Sequence, residues 1–268
     1  MHWLQRRRGL SRNNSAISLS DLSLISARDA DARMAGLEHL LRFVLGDRND
    51  EYGETEPRLQ ACKLPAPLER FYRFAGCWPV PHPNRSPIIF ETPAESYFYV
   101  GVQFAHLVPL DDVKPACPGQ IEVFWEQSGN WIGITSVEGI DPPVRIQNAL
   151  GLNKRSDPVD TGETLSGWLV AHSLGTLAWE SANSYCCATV EGAKTGPGLA
   201  LWFASEKENA ARLWVSHQTI CHELSGTFFA IGESILVHEC GNLLRFAALT
   251  PRGAEQLNHR AAKSDNLE

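Results

Sequence analysis

The sequence predicts an α+β fold, with a single mixed, largely antiparallel sheet and helices packed mainly on one face. One observation is that short runs of β-branched and aromatic residues follow one another between turn residues, as in antiparallel meanders. A second is that these runs do not alternate regularly with helical stretches, as the strands of a parallel sheet do. Helices and strands are therefore expected in separate groups along the chain.

The composition is that of a globular protein with one large core. The chain has 268 residues, of which 43% are hydrophobic and 21% are charged, enough to bury a single extensive core. We predict a flexible tail over residues 1–29 and a single domain over residues 30–268. The tail contains Arg6-Arg7-Arg8 and is interpreted as a solvated arm, with an anion-binding arm as the alternative.

Charge, hydropathy and cysteine content narrow the classes of function. The formal net charge of -7 disfavours a general nucleic-acid binder, which needs a basic face to contact phosphates. No stretch has the apolar length of a membrane span or of a secretion signal, so neither nucleic acid nor membrane is expected as a partner. Seven cysteines without a paired C-x-x-C spacing predict a reduced, cytoplasmic location.

Two helices are predicted in the first third of the chain. Apolar residues recur at helical spacing from Ala30 to Val44. In residues 64–76, Pro67 suits a first helical turn, and Gly76 is predicted to close the helix in a left-handed conformation. The apolar face of this second helix is predicted to point inward; it consists of Leu68, Phe71, Tyr72 and Ala75.

In the middle of the chain, the residue pattern predicts strands, including one hairpin that turns at Ser128-Gly129-Asn130. Its first arm alternates, with Ile121, Val123 and Trp125 expected on one face and Glu122, Phe124 and Glu126 on the other. Asp141-Pro-Pro-Val144 then interrupts the sheet, because consecutive prolines donate no ladder hydrogen bonds. The predicted strands cover residues 88–90, 97–104, 121–126, 131–135 and 144–146.

In the second half of the chain, the sequence predicts helices that begin with capping boxes, and it also predicts a terminal meander of strands. Residues 153–162 form a turn-rich loop, the best candidate for an internal boundary. Asp160 with Glu163, and Ser205 with Glu208, resemble capping boxes that would open a helix over residues 165–177 and another through Trp214. Thr250-Pro251 is predicted to start a final helix. The predicted meander strands cover residues 219–223, 226–231, 234–239 and 243–249.

The order of three motifs resembles the SUKH superfamily, which includes bacterial immunity proteins that neutralise polymorphic toxins and a yeast regulator of cell-wall synthesis. The bacterial branch has a Leu-Pro, a helix ending in Tyr-x-x-Ala-Gly, a strand of the form Val-x-Phe-x-Glu-Asn-Gln-Gly-Val-x-x-Trp, and then Asp-Pro-Pro-Val. This chain departs from it with Gln-Ser-Gly in place of Asn-Gln-Gly and with a tryptophan directly before the glutamate. The matching positions are Pro65, Tyr72, Ala75, Gly76, Glu126, Gln127, Gly129, Trp131 and Asp141 to Val144.

The resemblance implies a SUKH-like fold and a non-catalytic, bacterial immunity-type protein that binds a protein partner, a cognate toxin domain, without a cofactor. An intracellular scaffold or regulatory module on the same fold is the alternative, and the oligomeric state stays open. Glu126 is expected to meet an arginine of the partner or to tie down the turn. The tryptophans would be rigid anchors or core residues. The expected partner-binding residues are Trp78, Trp125, Glu126, Gln127 and Trp131.

Two further groups of residues are weighed as active sites. Ala171-His-Ser173-Leu-Gly175 resembles a nucleophile elbow, which would make the chain a serine hydrolase, but the preceding residues have helical spacing. Cys221-His222 and His238 with Cys240 could offer zinc ligands, but their spacing matches no familiar zinc knuckle. We therefore expect no catalytic residue and no metal site.

Overall fold

The computed structural model describes residues 22–45, 48–78, 105–126, 131–148, 157–180, 184–188, 197–216 and 225–264. The helices are α1 (Ala30–Leu45), α2 (Glu56–Gln60), α3 (Ala66–Ala75), α4 (Leu165–Glu180), α5 (Pro197–Glu206) and α6 (Pro251–Ser264). The strands are β1 (Ala105–Leu107), β2 (Pro115–Cys117), β3 (Gln120–Glu126), β4 (Trp131–Ser136), β5 (Pro143–Asn148), β6 (Val159–Thr164), β7 (Ser184–Ala188), β8 (Ala211–Ser216), β9 (Gly226–Ile231), β10 (Ile235–Cys240) and β11 (Leu243–Ala248).

Within the described ranges, the strands form two antiparallel sheets. The first has the strand order β1-β3-β4-β5-β6, with β2 also paired to β3, and the second has the order β7-β11-β10-β9-β8. The predicted α+β class and the antiparallel pairing are therefore confirmed, whereas the single sheet is wrong. The strands divide at α4, because this apolar helix must be buried on all sides and the chain after it builds a second sheet against it.

The helix α4 lies in the interior and packs against both sheets. Every residue from Leu165 to Ala178 is buried. Trp168 stacks on Phe124 of the first sheet, with 4.8 Å between the ring centroids. The same core cluster includes Leu236 of the second sheet. This enclosure is what an almost wholly apolar helix requires.

The second sheet has a separate core on its other face. Along β10, Leu236 belongs to the core around α4, whereas Val237 belongs to a cluster with Phe203 of α5 and Leu257 of α6. Neighbouring residues of a strand point to opposite faces, so helices cover both faces of this sheet. The predicted packing of helices mainly on one face does not describe it.

The first two predicted helices are present as α1 and α3. Pro67 lies in the first turn of α3, and Leu68, Phe71 and Tyr72 are fully buried. The inward packing predicted from their shared face is confirmed.

The end of α3 is closed in a different way from the one predicted. Gly76 has φ −57° and ψ −28°, which is right-handed backbone, so the left-handed closure is wrong. Arg48 instead donates hydrogen bonds to the carbonyl oxygens of Arg73 and Phe74, each at 3.0 Å. The guanidinium thus satisfies acceptors that the last helical turn leaves open and complements the negative end of the helix dipole.

Both predicted capping boxes are wrong. Asp160 lies in β6, and Thr164 caps α4 instead, since its Oγ1 accepts a hydrogen bond from the Gly167 backbone N–H at 3.4 Å. Ser205 lies inside α5, and Trp214 belongs to β8. A small polar residue three positions before a glutamate also occurs within strands and helices, so this spacing alone does not fix a helix start.

The C-terminal elements follow the prediction where the structure describes them. The Gly253 backbone N–H donates to Thr250 Oγ1 at 3.0 Å, and α6 begins at Pro251. The strands β9, β10 and β11 form the expected meander. None of the described helices combines the length and the apolar character that a membrane span requires. Predicted strands that lie outside the described residues are 88–90, 97–104 and 219–223.

Residues 22–29, which the prediction assigned to the tail, pack against the domain. Leu22 and Ile25 are fully buried in the main core. Gly36 of α1 allows this packing, because a Cβ there would lie 2.7 Å from the backbone nitrogen of Ile25. Residues 1–21 lie outside the described residues.

The Asp141-Pro-Pro-Val144 motif connects elements from both halves of the fold. Asp141 accepts hydrogen bonds from the backbone N–H and the hydroxyl of Ser166, at 2.8 and 2.7 Å, at the start of α4. Arg33 of α1 lies 3.3 Å from the same carboxylate, and its guanidinium lies 4.9 Å from the ring centre of Trp214 in β8. The motif therefore holds α1, the first sheet, α4 and the second sheet together.

Candidate partner-binding surface

The predicted hairpin is formed by β3 and β4, and it contains a β-bulge. Glu122 pairs with Ile134 and Phe124 pairs with Gly133, which leaves Val123 as an extra residue on β3. An extra residue changes the face on which the following side chains lie. The strict alternation predicted for this strand is therefore wrong.

Because of the bulge, Trp125 and Glu122 lie on the same face. Trp125 pairs with Ile132 and Glu122 pairs with Ile134, and residues two apart on β4 point to one side of the sheet. The indole N–H of Trp125 donates a hydrogen bond to Glu122 Oε2 at 3.0 Å. A partly exposed aromatic ring is thereby attached to a buried carboxylate.

Glu126 and Trp131 lie on the other face of the hairpin. Phe124 marks that face, since it stacks on Trp168 of α4. Glu126 is two residues beyond Phe124 on β3, and Trp131 is two residues before Gly133, the partner of Phe124 on β4, so both share the side of Phe124. The described hairpin residues of the predicted partner-binding group are thus divided between its two faces, with Trp125 on the face away from α4 and Glu126 and Trp131 on the other.

Of the two remaining predicted residues, the structure describes only Trp78, which does not add to the face that carries Trp125. Trp78 is 3% exposed and packs against Tyr52 and Phe74, with ring centroids 5.1 and 5.7 Å apart, as a core residue does. Gln127 lies outside the described residues.

The face away from α4 carries two rows of side chains across the first sheet. We call it the Trp125 surface. The first row consists of His106, Trp125, Ile132 and Gln147 on β1, β3, β4 and β5, and the second of Glu122, Ile134, Arg145 and Asp160 on β3, β4, β5 and β6.

Glu122 is the residue of this surface that the sequence prediction missed. Its side chain is 5% exposed. The Nζ atom of Lys114, whose side chain is 64% exposed, lies 3.8 Å from Glu122 Oε2. Strict alternation had placed Glu122 on the opposite side from Trp125. The available signal was a glutamate within an otherwise apolar stretch, because a buried carboxylate needs hydrogen-bond partners.

Ser173 does not lie in an elbow. It is inside α4 and fully buried, and its Oγ has no hydrogen-bond partner in the described part of the chain. The neighbouring His172 stacks on Trp168, with 4.9 Å between ring centroids. A nucleophile elbow needs an exposed serine on a sharp strand-to-helix turn, and this position has neither property.

The residues considered as zinc ligands are only partly described. His238 Nε2 is 2.7 Å from the carbonyl oxygen of Ser225, and burial lowers the pKa of His238 to about 4. Cys240 Sγ lies 3.4 Å from Ser225 Oγ. Cys221 and His222 lie outside the described residues. Within the described ranges, no group of three His, Cys, Asp or Glu side chains could hold a metal ion.

Comparison of the chain with protein-family models, with curated proteins and with solved structures found no match. Its function must therefore be inferred from the geometry of its residues.

Proposed function

We propose that this chain is a non-catalytic protein-binding module, an immunity-type protein that neutralises a polymorphic toxin by binding one of its domains. The Trp125 surface contacts the toxin. The observation that carries this proposal is the partly exposed Trp125 ring, whose indole N–H donates to the buried Glu122 carboxylate at 3.0 Å. A tryptophan already held in one position loses little conformational entropy when a partner covers it.

A toxin domain as the partner is supported by the motifs shared with SUKH immunity proteins. Two of these motifs have structural roles here: Tyr72 and Ala75 are buried in the core, and Asp141 caps α4. A scaffold held by such residues leaves the half-buried Trp125 and the exposed Arg145 and Asp160 of the Trp125 surface available to change with the partner. The net charge of -7 favours a basic toxin surface, since long-range attraction speeds encounter.

The cytoplasm is the proposed location of this interaction. Cys62, Cys77, Cys117 and Cys240 are free thiols, which is the ordinary state of cysteines in a reducing compartment. An immunity protein located there would meet toxin molecules that reach the cytoplasm.

Co-expression tests this function. Cells would produce the toxin domain encoded beside the gene for this chain, with or without the chain itself, and survival would be counted. We expect the wild-type chain to restore growth and Trp125→Ala to lose most of the protection. Trp131→Ala, on the opposite face of the hairpin, is the matched control and should still protect. Absence of protection by the wild-type chain, together with absence of binding to the purified domain, would contradict the proposal.

A further inference from the structure

The Glu122 carboxylate keeps an acceptor oxygen beside the Trp125 ring. Both of its side-chain contacts, from Trp125 Nε1 at 3.0 Å and from Lys114 Nζ at 3.8 Å, are made with Oε2. Oε1 accepts no hydrogen bond from any described residue. A carboxylate on a side chain that is only 5% exposed is poorly solvated, so an additional donor at Oε1 would be favourable.

The two groups together match one kind of side chain. A guanidinium is a planar cation that can donate to a carboxylate and stack on an indole ring at the same time. A lysine ammonium would supply the charge without the planar stacking. We propose that Glu122 and Trp125 form a receptor for an arginine side chain of the protein partner. This inference rests on the proposed function and names the chemistry that the Trp125 surface recognises.

Other charged groups on this surface set the conditions for such a contact. Among the described residues, the Lys114 ammonium lies 3.8 Å from the Glu122 carboxylate on a side chain that is 64% exposed, so it competes for this carboxylate only weakly. Arg145 on β5 and Asp160 on β6 pair with each other, two and three strands away from Glu122. Their opposite charges therefore largely cancel at the Glu122 carboxylate. His106 is opposite Trp125 on β1 and would border the bound guanidinium.

The inference can be tested with the full chain and a small probe, without a known partner. The probe is arginine amide, and the readout is the indole N–H signal of Trp125 in 15N NMR, assigned by its loss in Trp125→Phe. Lysine amide and glycinamide are the controls. We expect a saturable shift of this signal with arginine amide, with an affinity at least about threefold higher than for lysine amide.

Two variants test the contribution of the Glu122 carboxylate to binding separately from its contribution to folding. Glu122→Gln keeps an acceptor for the Trp125 indole but removes the charge, and we expect it to weaken arginine-amide binding about tenfold. Lys114→Gln removes the competing cation and should strengthen binding. Unchanged melting temperatures would show that both variants are folded, and the stronger binding expected of Lys114→Gln provides a second measurement if Glu122→Gln does not fold.

The outcomes distinguish this inference from the function on which it rests. Equal shifts with arginine amide and glycinamide, or an undiminished response in Glu122→Gln, would overturn the arginine receptor. If the toxin domain still bound the chain in that case, the proposed function would stand with a different contact. If arginine amide bound but no toxin domain did, the receptor would stand and the immunity function would fail.

Discussion

Arg33 and Asp141 form an ion pair across 108 residues of sequence, with 3.3 Å between Arg33 Nη1 and Asp141 Oδ2. Their side chains are 9% and 16% exposed, and Arg33 also donates to the carbonyl oxygen of Ala27 at 2.9 Å. The pair therefore fixes the N-terminal segment, α1 and the start of α4 relative to one another. It gives Asp141 a role in the fold.

Removal of Arg33 should destabilise the protein strongly. In Arg33→Met, the Asp141 carboxylate stays buried without its counter-charge, so we expect the free energy of unfolding to fall by about 3 kcal/mol. Urea denaturation measures the change. The control is Lys63→Met, because the Lys63–Glu138 pair is 3.9 Å long and its side chains are 75% and 80% exposed, which should make its loss barely measurable. Equal effects of the two substitutions would contradict this role for Arg33.

Truncation of Phe71 tests the packing of α3. Its side chain is 1% exposed in the main core, so Phe71→Ala should lower the free energy of unfolding by about 3–5 kcal/mol. Leu201→Ala serves as the comparison, since Leu201 is 71% exposed and its truncation should change stability by less than about 0.5 kcal/mol. A loss for Phe71→Ala as small as that for Leu201→Ala would show that α3 does not pack as described.

Ser173 should be dispensable for stability and unreactive. Its hydroxyl is buried without a hydrogen-bond partner in the described part of the chain, so Ser173→Ala removes an unfavourable burial and should leave the melting temperature unchanged or raised. A fluorophosphonate probe should not label the wild-type chain at this position. Labelling that disappears in Ser173→Ala would mean that the serine becomes exposed and nucleophilic.

Stability should fall in mild acid because of His238. Burial lowers its pKa from 6.5 to about 4, so between these values the unfolded chain binds a proton that the folded chain does not. This group therefore makes stability decrease as the pH falls from 6.5 towards 4, with a slope of at most about 1.4 kcal/mol per pH unit. Urea denaturation across this range should show a smaller slope for His238→Gln. The same substitution at the exposed His259 should leave the slope unchanged, and identical slopes in wild type and His238→Gln would exclude the effect.

Local signals were sufficient for several elements of the fold. Pro67 and the apolar face of α3, the antiparallel pairing of β3 with β4, and the Thr250 cap of α6 each depend on residues within a few positions of one another. Such features are encoded by side-chain spacing and turn chemistry, which the sequence displays directly.

Tertiary features were not predictable in the same way. The bulge at Val123 leaves no mark in a strand whose residues alternate well, yet it decides that Glu122 and not Glu126 lies beside Trp125. The division into two sheets depends on the burial of α4 from several sides, which is a property of the packed chain. The Arg33–Asp141 pair joins positions too far apart for any local pattern to connect.

The most direct test of the Trp125 surface is the dissociation constant of the purified toxin-domain complex, measured by titration calorimetry for the wild-type chain, Trp125→Ala and Trp131→Ala at matched folded fractions. We predict that Trp125→Ala weakens binding by at least about 30-fold, as expected for a central aromatic anchor, and that Trp131→Ala changes it by less than about threefold. Unchanged affinity in a fully folded Trp125→Ala, or a larger loss in Trp131→Ala, would contradict the assignment of this surface.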